Sequence, residues 1–301
     1  MSVVTRSDVP SKNNLGTIKS LQYTAQKAYD EYAARVVADG GAVLDPAATL
    51  SLFSTLISLG VFGVARTFVS GKAGVKIENG IVTKVYALDG FDLTPYNMAQ
   101  GGIGITVNSG ELNFNNSAGV NSAAATGTIL VTPKFKAKGR GLVLGIFGSS
   151  LTLPGSGQQY PAAFTKLFDE NNSSPLWMDV LSRSSGYHSF TRQIGETPNQ
   201  NSTVTTSRAT ANMQPTGSKY VWFADYLNKK IKGYRNGVRV TEPVVDPQFS
   251  NIDGFEGCIN FGGLVYKTAN VNTANLCNIK VSLFFVYDNL PESKVEALSV
   301  I

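Results

Sequence analysis

The sequence predicts a mainly β protein, an antiparallel β-sandwich that follows an N-terminal helical hairpin. Before about residue 70, apolar residues recur at three- and four-residue steps, which is the periodicity of a helix. After residue 74 the pattern changes to short runs of period two, separated by clusters of Gly, Asn, Ser and Thr. Many short strands punctuated in this way are typical of antiparallel sandwiches. With 301 residues, 43% of them apolar and 16% charged, the chain can bury a sizeable core and is not expected to be disordered.

Two helices are predicted in the N-terminal segment. The second begins after Asp45, a good N-cap, places Pro46 at its first position, and ends at Gly60. The first covers residues 17–38 and stops at Gly40-Gly41. Its apolar stripe consists of Ile18, Leu21, Ala25, Ala28, Tyr32 and Val36. Because only four residues link the two helices, they are expected to form a hairpin. We therefore assign residues 1–70 to a helical segment and residues 71–301 to the sandwich.

The strands are predicted from alternation and from turn residues. Asn79-Gly80 lies between two alternating runs and indicates a two-residue hairpin. Residues 141–147 are nearly all apolar, as in a central strand, and residues 219–240 predict a three-stranded meander. The last strand is expected at residues 281–287, with a short helix started by Pro291. Trp222, Phe284 and Val286 are predicted to be buried.

Composition excludes several classes of protein. No run approaches the ~20 apolar residues of a membrane-spanning helix, and the N-terminus lacks the apolar core of a secretory signal, so membrane insertion is not expected. The net charge is +5, but the densest basic groups, at residues 134–140 and 229–232, alternate with apolar residues as on a strand. A nucleic-acid surface would need a longer basic stripe with stacking aromatics, and no nucleic-acid partner is predicted. Cys258 and Cys277 are expected to be buried free thiols, although a single bridge between neighbouring strands is an alternative.

No catalytic residue is predicted. A glycoside hydrolase needs two facing carboxylates, but Asp169 and Glu170 are adjacent and would point to opposite faces of a strand. The other acids, Asp246, Asp253 and Glu256, lie in a Pro/Gly/Asn-rich segment without alternation. The single histidine has no nucleophile elbow to serve.

No metal and no cofactor are predicted either. Residues 169–174 and 251–253 carry enough oxygen atoms for calcium, but Asn, Ser and Asp clusters are first of all turn formers. One histidine and two distant cysteines do not make a zinc set.

A sugar site is expected to be a shallow surface with an aromatic platform. The candidate ligand-binding residues are Tyr160, Trp177, Tyr187 and His188, which lie in or beside long irregular stretches. Burial or subunit contact is the alternative explanation for such aromatic residues.

Three segments resemble the concanavalin A/laminin-G-like jelly roll. They are the hairpin at Tyr234-Arg-Asn-Gly237, the Gly-rich strand at residues 256–263, and the aromatic strand with its short helix at residues 284–298. Residues 111–116 resemble an early strand of that fold. Upstream, residues 32–62 are similar to a helix-turn-helix preface that precedes a laminin-G-like domain in tailed-phage virion proteins.

The resemblance implies a non-enzymatic virion structural protein, in the tail, the fibre or the head appendages. It implies that the chain is located in the virion, assembled in the host cytoplasm, and that its helices contact other virion proteins. It also implies a homo-oligomer, a trimer by analogy with fibres, and the heptad-like spacing of the first helix is compatible with self-association. Packing of that helix on its own sandwich is the alternative. The alternative function is a carbohydrate-binding module that recognises a host-surface glycan, and the third is a glycan hydrolase.

Overall fold

The computed structural model describes residues 24–97, 104–116, 127–138, 141–151, 158–165, 176–183, 188–191, 219–225, 227–228, 230–240, 256–268 and 271–301. In these parts of the chain the helices are α1 (Ala25–Ala38), α2 (Pro46–Ser58) and α3 (Glu292–Leu298). The strands are β1 (Ala42–Val43), β2 (Ala65–Ser70), β3 (Gly74–Glu78), β4 (Ile81–Val85), β5 (Asp89–Gly90), β6 (Thr94–Asn97), β7 (Ile105–Asn108), β8 (Glu111–Asn115), β9 (Thr128–Val131), β10 (Phe135–Lys136), β11 (Gly141–Phe147), β12 (Ser150–Leu151), β13 (Gln158–Thr165), β14 (Leu176–Arg183), β15 (His188–Thr191), β16 (Lys219–Asp225), β17 (Lys230–Arg235), β18 (Val238–Arg239), β19 (Glu256–Phe261), β20 (Gly263–Thr268), β21 (Val271–Leu276), β22 (Asn278–Val281) and β23 (Leu283–Asp288).

Two large antiparallel sheets form the sandwich. The central sheet has the order β18-β17-β16-β11-β23-β2-β5, and the outer sheet has the order β15-β14-β13-β19-β9-β6, with β10 also paired to β19. Smaller sheets, β12-β22-β8-β7, β1-β3-β4 and β20-β21, complete the fold. The predicted fold class is confirmed: the protein is mainly β, a jelly-roll-like sandwich with an N-terminal helical hairpin.

The main core fills the space between the central and outer sheets. Strand β11 contributes alternate residues to it, and Phe284 on β23 stacks on Phe261 of the outer sheet with ring centroids 4.0 Å apart. Trp222, Phe284 and Val286 are buried, as predicted.

A second core lies on the other face of the central sheet, under the helices. Ala28, Tyr32 and Val36 of α1 pack there with residues of α2, α3 and the central sheet. On the sheet side, Phe68 and Phe285 stack at 5.4 Å. The described part of the α1 stripe is therefore covered within the same chain, while the trimer stays a prediction.

Local signals explain where the helices begin. Helix α1 begins at Ala25, where Thr24 is its N-cap and accepts the N–H of Lys27 at 3.1 Å, and residues 17–23 of the predicted helix lie outside the described residues. Helix α2 begins as predicted, with the Asp45 carboxylate accepting the N–H of Ala48 at 2.9 Å and Pro46 at the first helical position. None of the helices in the described ranges is long and apolar enough to cross a membrane.

The Asn-Gly hairpins are also confirmed. Asn79 and Gly80 have φ values of 52° and 79°, and Asn236 and Gly237 have values of 49° and 80°. Positive φ at both central positions is what a type I′ hairpin turn requires. Cys258 and Cys277 are buried free thiols, as predicted.

The predicted boundary at residue 70 falls at the end of β2. This strand pairs with β23 and β5, so it belongs to the central sheet although it precedes the boundary. The division into residues 1–70 and 71–301 stays a prediction.

Candidate functional site

Three of the sequence-predicted ligand residues fall on the three strands at one edge of the outer sheet. Tyr160 lies in β13, Trp177 in β14 and His188 at the start of β15. These three strands are consecutive in the sheet. Tyr187 lies outside the described residues.

The register separates the candidates along the strands. His188 pairs with Ser182 of β14, and Ser182 pairs with Gln159 of β13, the residue before Tyr160. Tyr160 and His188 are thus at the same end of the three strands. Trp177 is five residues from Ser182 along β14, about 17 Å at the rise of a strand. The backbone therefore brings Tyr160 and His188 together, and it places Trp177 toward the other end.

An irregularity in β13 lies at the end occupied by Tyr160. The register with β14 shifts between Gln159 and Ala162, and Pro161, which has no N–H to donate to the ladder, is in this gap. The carbonyl of Pro161 still takes part in a backbone hydrogen bond, because it accepts the N–H of Gly262 at 2.8 Å. The sequence thus creates a local twist at the strand position of Tyr160.

A row of paired positions crosses the same sheet. Asp179 pairs with both Thr191 and Ala163, and Ala163 pairs with Asn260 of β19. Asn260 is fully buried, so it supports the sheet from within and does not offer a surface contact.

A second feature is a cavity of about 390 Å³ between the helical hairpin and β5. Its lining includes Glu31, Tyr32 and Arg35 of α1, together with Phe53, Phe62 and Asp89. The sequence interpretation missed this region. The four-residue spacing of Glu31 and Arg35 shows that both lie on one helix face, but which residues they meet depends on the fold.

Arg35 is held by two partners at the cavity. Its Nη1 donates to both carboxylate oxygens of Asp92, at 2.9 and 2.7 Å, and its Nη2 donates to the carbonyl of Ala87 at 2.8 Å. Tyr32 donates to the carbonyl of Tyr86 at 3.1 Å and accepts the N–H of Gly74 at 2.6 Å. Burial raises the pKa of the Tyr32 hydroxyl well above its ordinary value, so it stays protonated.

Asp89 occupies a nest of backbone donors at the start of β2. One carboxylate oxygen accepts the N–H groups of Gly63, Val64 and Ala65 at 2.7, 3.1 and 2.9 Å. Consecutive N–H groups that converge on one oxygen form a typical anion-binding concavity. The chain thus fixes an acidic side chain in the cavity wall by its own backbone.

Lys84 and Asp39 form a further ionic group beside the cavity, which is connected to Arg35 through Asp92. Lys84 contacts Asp39 at 2.9 Å and Asp92 at 3.2 Å, and the hydroxyl of Tyr86 donates to Asp39 at 2.9 Å. The hydrogen bonds from Lys84 and Tyr86 lower the pKa of Asp39. Burial, and then the bond to Asp39, raises the pKa of Tyr86 to about 12.

A pair of carboxylates at α3 is bridged by a lysine. Lys232 contacts Glu292 and lies 3.7 Å from Asp225, while the Tyr234 hydroxyl donates to Glu292 at 3.0 Å. A buried ammonium between two carboxylates is a structural ion cluster, and it ties α3 to β16 and β17.

The acids that the sequence interpretation weighed do not form a pair in the described residues. Glu256 begins β19 and is exposed, whereas Asp169, Glu170, Asp246 and Asp253 lie outside the described ranges. The two calcium candidates, residues 169–174 and 251–253, lie outside them as well. Among the residues that the structure describes, no cluster of His, Cys, Asp and Glu has the makings of a metal site.

Comparison with known proteins adds solved structures only. No family model and no curated protein matches the chain. The chain is similar to the CBM40 module of Ruminococcus gnavus IT-sialidase bound to α2,6-sialyllactose, at 14% identity and a TM-score of 0.37, over 55% of this chain and 84% of that one. It is similar to the carbohydrate recognition domain of Emp46p in its metal-free form, at 12% identity and a TM-score of 0.40, over 66% and 89%. A third similar structure is botulinum neurotoxin type C, at 9% identity and a TM-score of 0.46, over 77% and 50%. At these identities the similarity concerns the course of the chain and not individual site residues.

Proposed function

We propose that the chain is a non-catalytic glycan-binding β-sandwich, whose binding surface lies at the β13–β15 end of the outer sheet. The observation that carries the proposal is that Tyr160, Trp177 and His188 lie on three consecutive strands of one sheet. Among the described residues, the helices pack on the central sheet and not on this one. The outer sheet, which carries the three candidates, therefore lies on the side of the sandwich away from the described helices.

Recognition at such a surface combines stacking and hydrogen bonds. The C–H face of a sugar ring stacks on an aromatic ring, and its hydroxyl groups bond to imidazole, amide and backbone groups. Trp177 supplies the larger aromatic surface, and Tyr160 and His188 supply rings with a polar atom. Because Trp177 is about 17 Å from the other two along the sheet, the proposed ligand is an extended oligosaccharide rather than one ring.

Catalysis is not part of the proposal. The carboxylates Asp225 and Glu292 are bridged by Lys232, so neither is placed to protonate or attack a glycosidic bond. We expect purified protein to release no reducing ends from a glycan that it binds. Release that is abolished by Glu292→Gln would contradict the non-enzymatic function.

The proposal is tested on an array of defined oligosaccharides with the full chain. We expect retention of at least one glycan, weakened about fivefold by Trp177→Ala or His188→Ala, since each removes a stacking ring. Leu227→Ala is the matched control, because Leu227 is an exposed apolar residue in the turn between β16 and β17. An array on which the wild-type chain retains nothing would overturn the proposed function.

A second candidate is a virion structural role, in which the helical segment attaches to the particle and the sandwich is displayed outward. The resemblance of residues 32–62 to the phage preface is the feature that favours it. The described part of the α1 stripe packs on the chain's own central sheet, which is the alternative to self-association. Mass photometry of the full chain tests the trimer, with an expected mass three times the 32.1 kDa of one chain. A monomer at micromolar concentration would overturn the trimer. Truncation at Gly71 is unsuitable because it would delete β2 from the central sheet.

A further inference from the structure

We propose that the cavity between the helical hairpin and β5 binds a neutral saccharide ring, with Glu31 and Arg35 of α1 as its polar contacts. This site is separate from the β13–β15 surface and does not rest on the function proposed there. Three features support it: the size of the cavity, its apolar floor and the hydrogen-bonding capacity that its polar groups retain.

The cavity has the size and the floor of a small ligand site. Its volume of about 390 Å³ is near the lower end of the roughly 300–1,000 Å³ common for ligand pockets. Tyr32, Phe53 and Phe62 lie along its base as a chain of edge-to-face rings, with centroids 5.5 and 5.7 Å apart. Such a base offers the C–H face of a sugar a preformed apolar surface.

Arg35 supplies oriented donors. A guanidinium has five N–H groups, and Arg35 uses those on Nη1 for Asp92 and one on Nη2 for Ala87. Two nitrogens are held, Nη1 by Asp92 and Nη2 by the carbonyl of Ala87, so the remaining donors on Nη2 and Nε point in set directions. The side chain is 45% exposed, which leaves these donors accessible to a ligand.

Glu31 supplies the acceptor. It is four residues before Arg35 on α1, the spacing at which a Glu–Arg pair normally forms on a helix. Arg35 turns instead to Asp92, and Glu31 has no hydrogen bond or ion pair within the described part of the chain. Its carboxylate therefore lies at the cavity with its full capacity to accept hydrogen bonds.

The charges select against anionic ligands. Glu31 and Asp89 in the lining repel an anion, and the charge of Arg35 is offset by its ion pair with Asp92. A pair of neighbouring hydroxyl groups has neither charge and can donate to Glu31 while it accepts from Arg35. This combination, together with the aromatic floor, is the chemistry that recognises a sugar ring.

The test is titration of the full chain with free galactose, glucose, N-acetylglucosamine and lactose, followed by saturation-transfer NMR and calorimetry. We expect binding of at least one of them, weakened about tenfold by Glu31→Gln, which removes a charge-assisted acceptor. Asp30→Asn is the matched control, because Asp30 is an exposed carboxylate next to Glu31 that does not line the cavity. It should bind like the wild type, and both variants should keep the wild-type melting temperature, since both positions are exposed.

The outcomes separate this inference from the proposed function. Binding of none of the four sugars, or equal affinity of wild type and Glu31→Gln, overturns the cavity site. Arginine amide or inorganic phosphate binding here in place of a sugar would overturn it as well. If array binding is lost with Trp177→Ala while Glu31→Gln binds the free sugars as the wild type does, the cavity site fails and the proposed function stands. If Glu31→Gln loses the free sugars and Trp177→Ala keeps the array binding, the cavity site stands and the β13–β15 surface fails.

Discussion

The two large sheets belong to one sandwich but differ in the side chains on the face that is turned away from the main core. In the central sheet, all seven residues of β11 and all six of β23 are buried, and large rings such as Phe223, Phe285 and Tyr287 face the helices. In the outer sheet, the positions of β19 outside the main core are the small and polar Cys258 and Asn260. Large aromatic side chains fill the gaps between a helix layer and a sheet, and small polar ones do not. Both faces of β19 are buried as well, so the two sheets differ in the size and polarity of the side chains on that face and not in whether the face is covered.

The largest effect should come from deleting a ring on either face of the central sheet. Phe284→Ala opens a cavity toward the outer sheet, and Phe285→Ala opens one under the helices. Each should lower the free energy of unfolding by about 3–5 kcal/mol, through lost transfer energy and the cavity left behind. Urea denaturation of the two variants measures this. A cost below about 1 kcal/mol for Phe285→Ala would mean that the helical layer is not part of the cooperative fold.

A smaller effect is expected from a glycine that makes room for the helix-facing ring. Gly145 in β11 lies against the ring of Phe285, and a Cβ atom there would overlap that ring. Gly145→Ala should cost about 1–3 kcal/mol because the packed interior has no free volume. The double variant Gly145→Ala/Phe285→Leu should recover part of the loss. If the two changes are simply additive in denaturation experiments, the ring does not limit the size of residue 145.

The sequence predicted those parts of the fold that depend on neighbouring residues. Asp45-Pro46 and the two Asn-Gly pairs act within one turn, so their helix start and hairpins could be read directly. Phe284 and Phe285 are adjacent and both buried, so β23 is covered on both faces. A nearly continuous apolar run, such as the one at residues 283–287, is the sequence signal of such a strand.

Long-range pairings left no comparable signal. Arg35 and Asp92 are 57 residues apart, and neither has a neighbour that predicts the contact. The cavity site was missed for the same reason. Trp177 and Tyr160 looked equivalent as aromatic residues in irregular stretches, and only the strand register separates them.

The helix-facing aromatic layer contains one unfavourable group. The Tyr287 hydroxyl is fully buried and has no hydrogen-bond partner among the described residues, and burial raises its pKa well above the ordinary value. Tyr287→Phe should therefore raise the free energy of unfolding by about 1 kcal/mol. Tyr234→Phe is the matched control, since the Tyr234 hydroxyl donates to Glu292, and it should lower stability by about 0.5–1.5 kcal/mol. Thermal melts with the same sign for both variants would contradict this contrast.

The smallest expected effect is a pH dependence at α3, where a charged side chain holds the third helix against the central sheet. Burial would raise the pKa of Glu292, but the hydrogen bonds from Lys232 and Tyr234 outweigh it, and the pKa is lowered from its ordinary 4.5. A lowered folded-state pKa means that this stabilisation is present above the ordinary value and is lost as the pH falls through the lowered value.

Glu292→Gln should therefore melt below the wild type at pH 7, and the gap should close as the pH falls through the lowered pKa, because the protonated wild-type side chain then resembles the amide. Glu296→Gln, one turn along α3 and exposed, provides the control and should show little gap over this range of pH. Since the Glu292 side chain is 38% exposed, solvent screening keeps the gap to a small shift in melting temperature. A gap that does not narrow as the pH falls below the ordinary pKa of 4.5 would show that Glu292 holds α3 by packing and not by its charge.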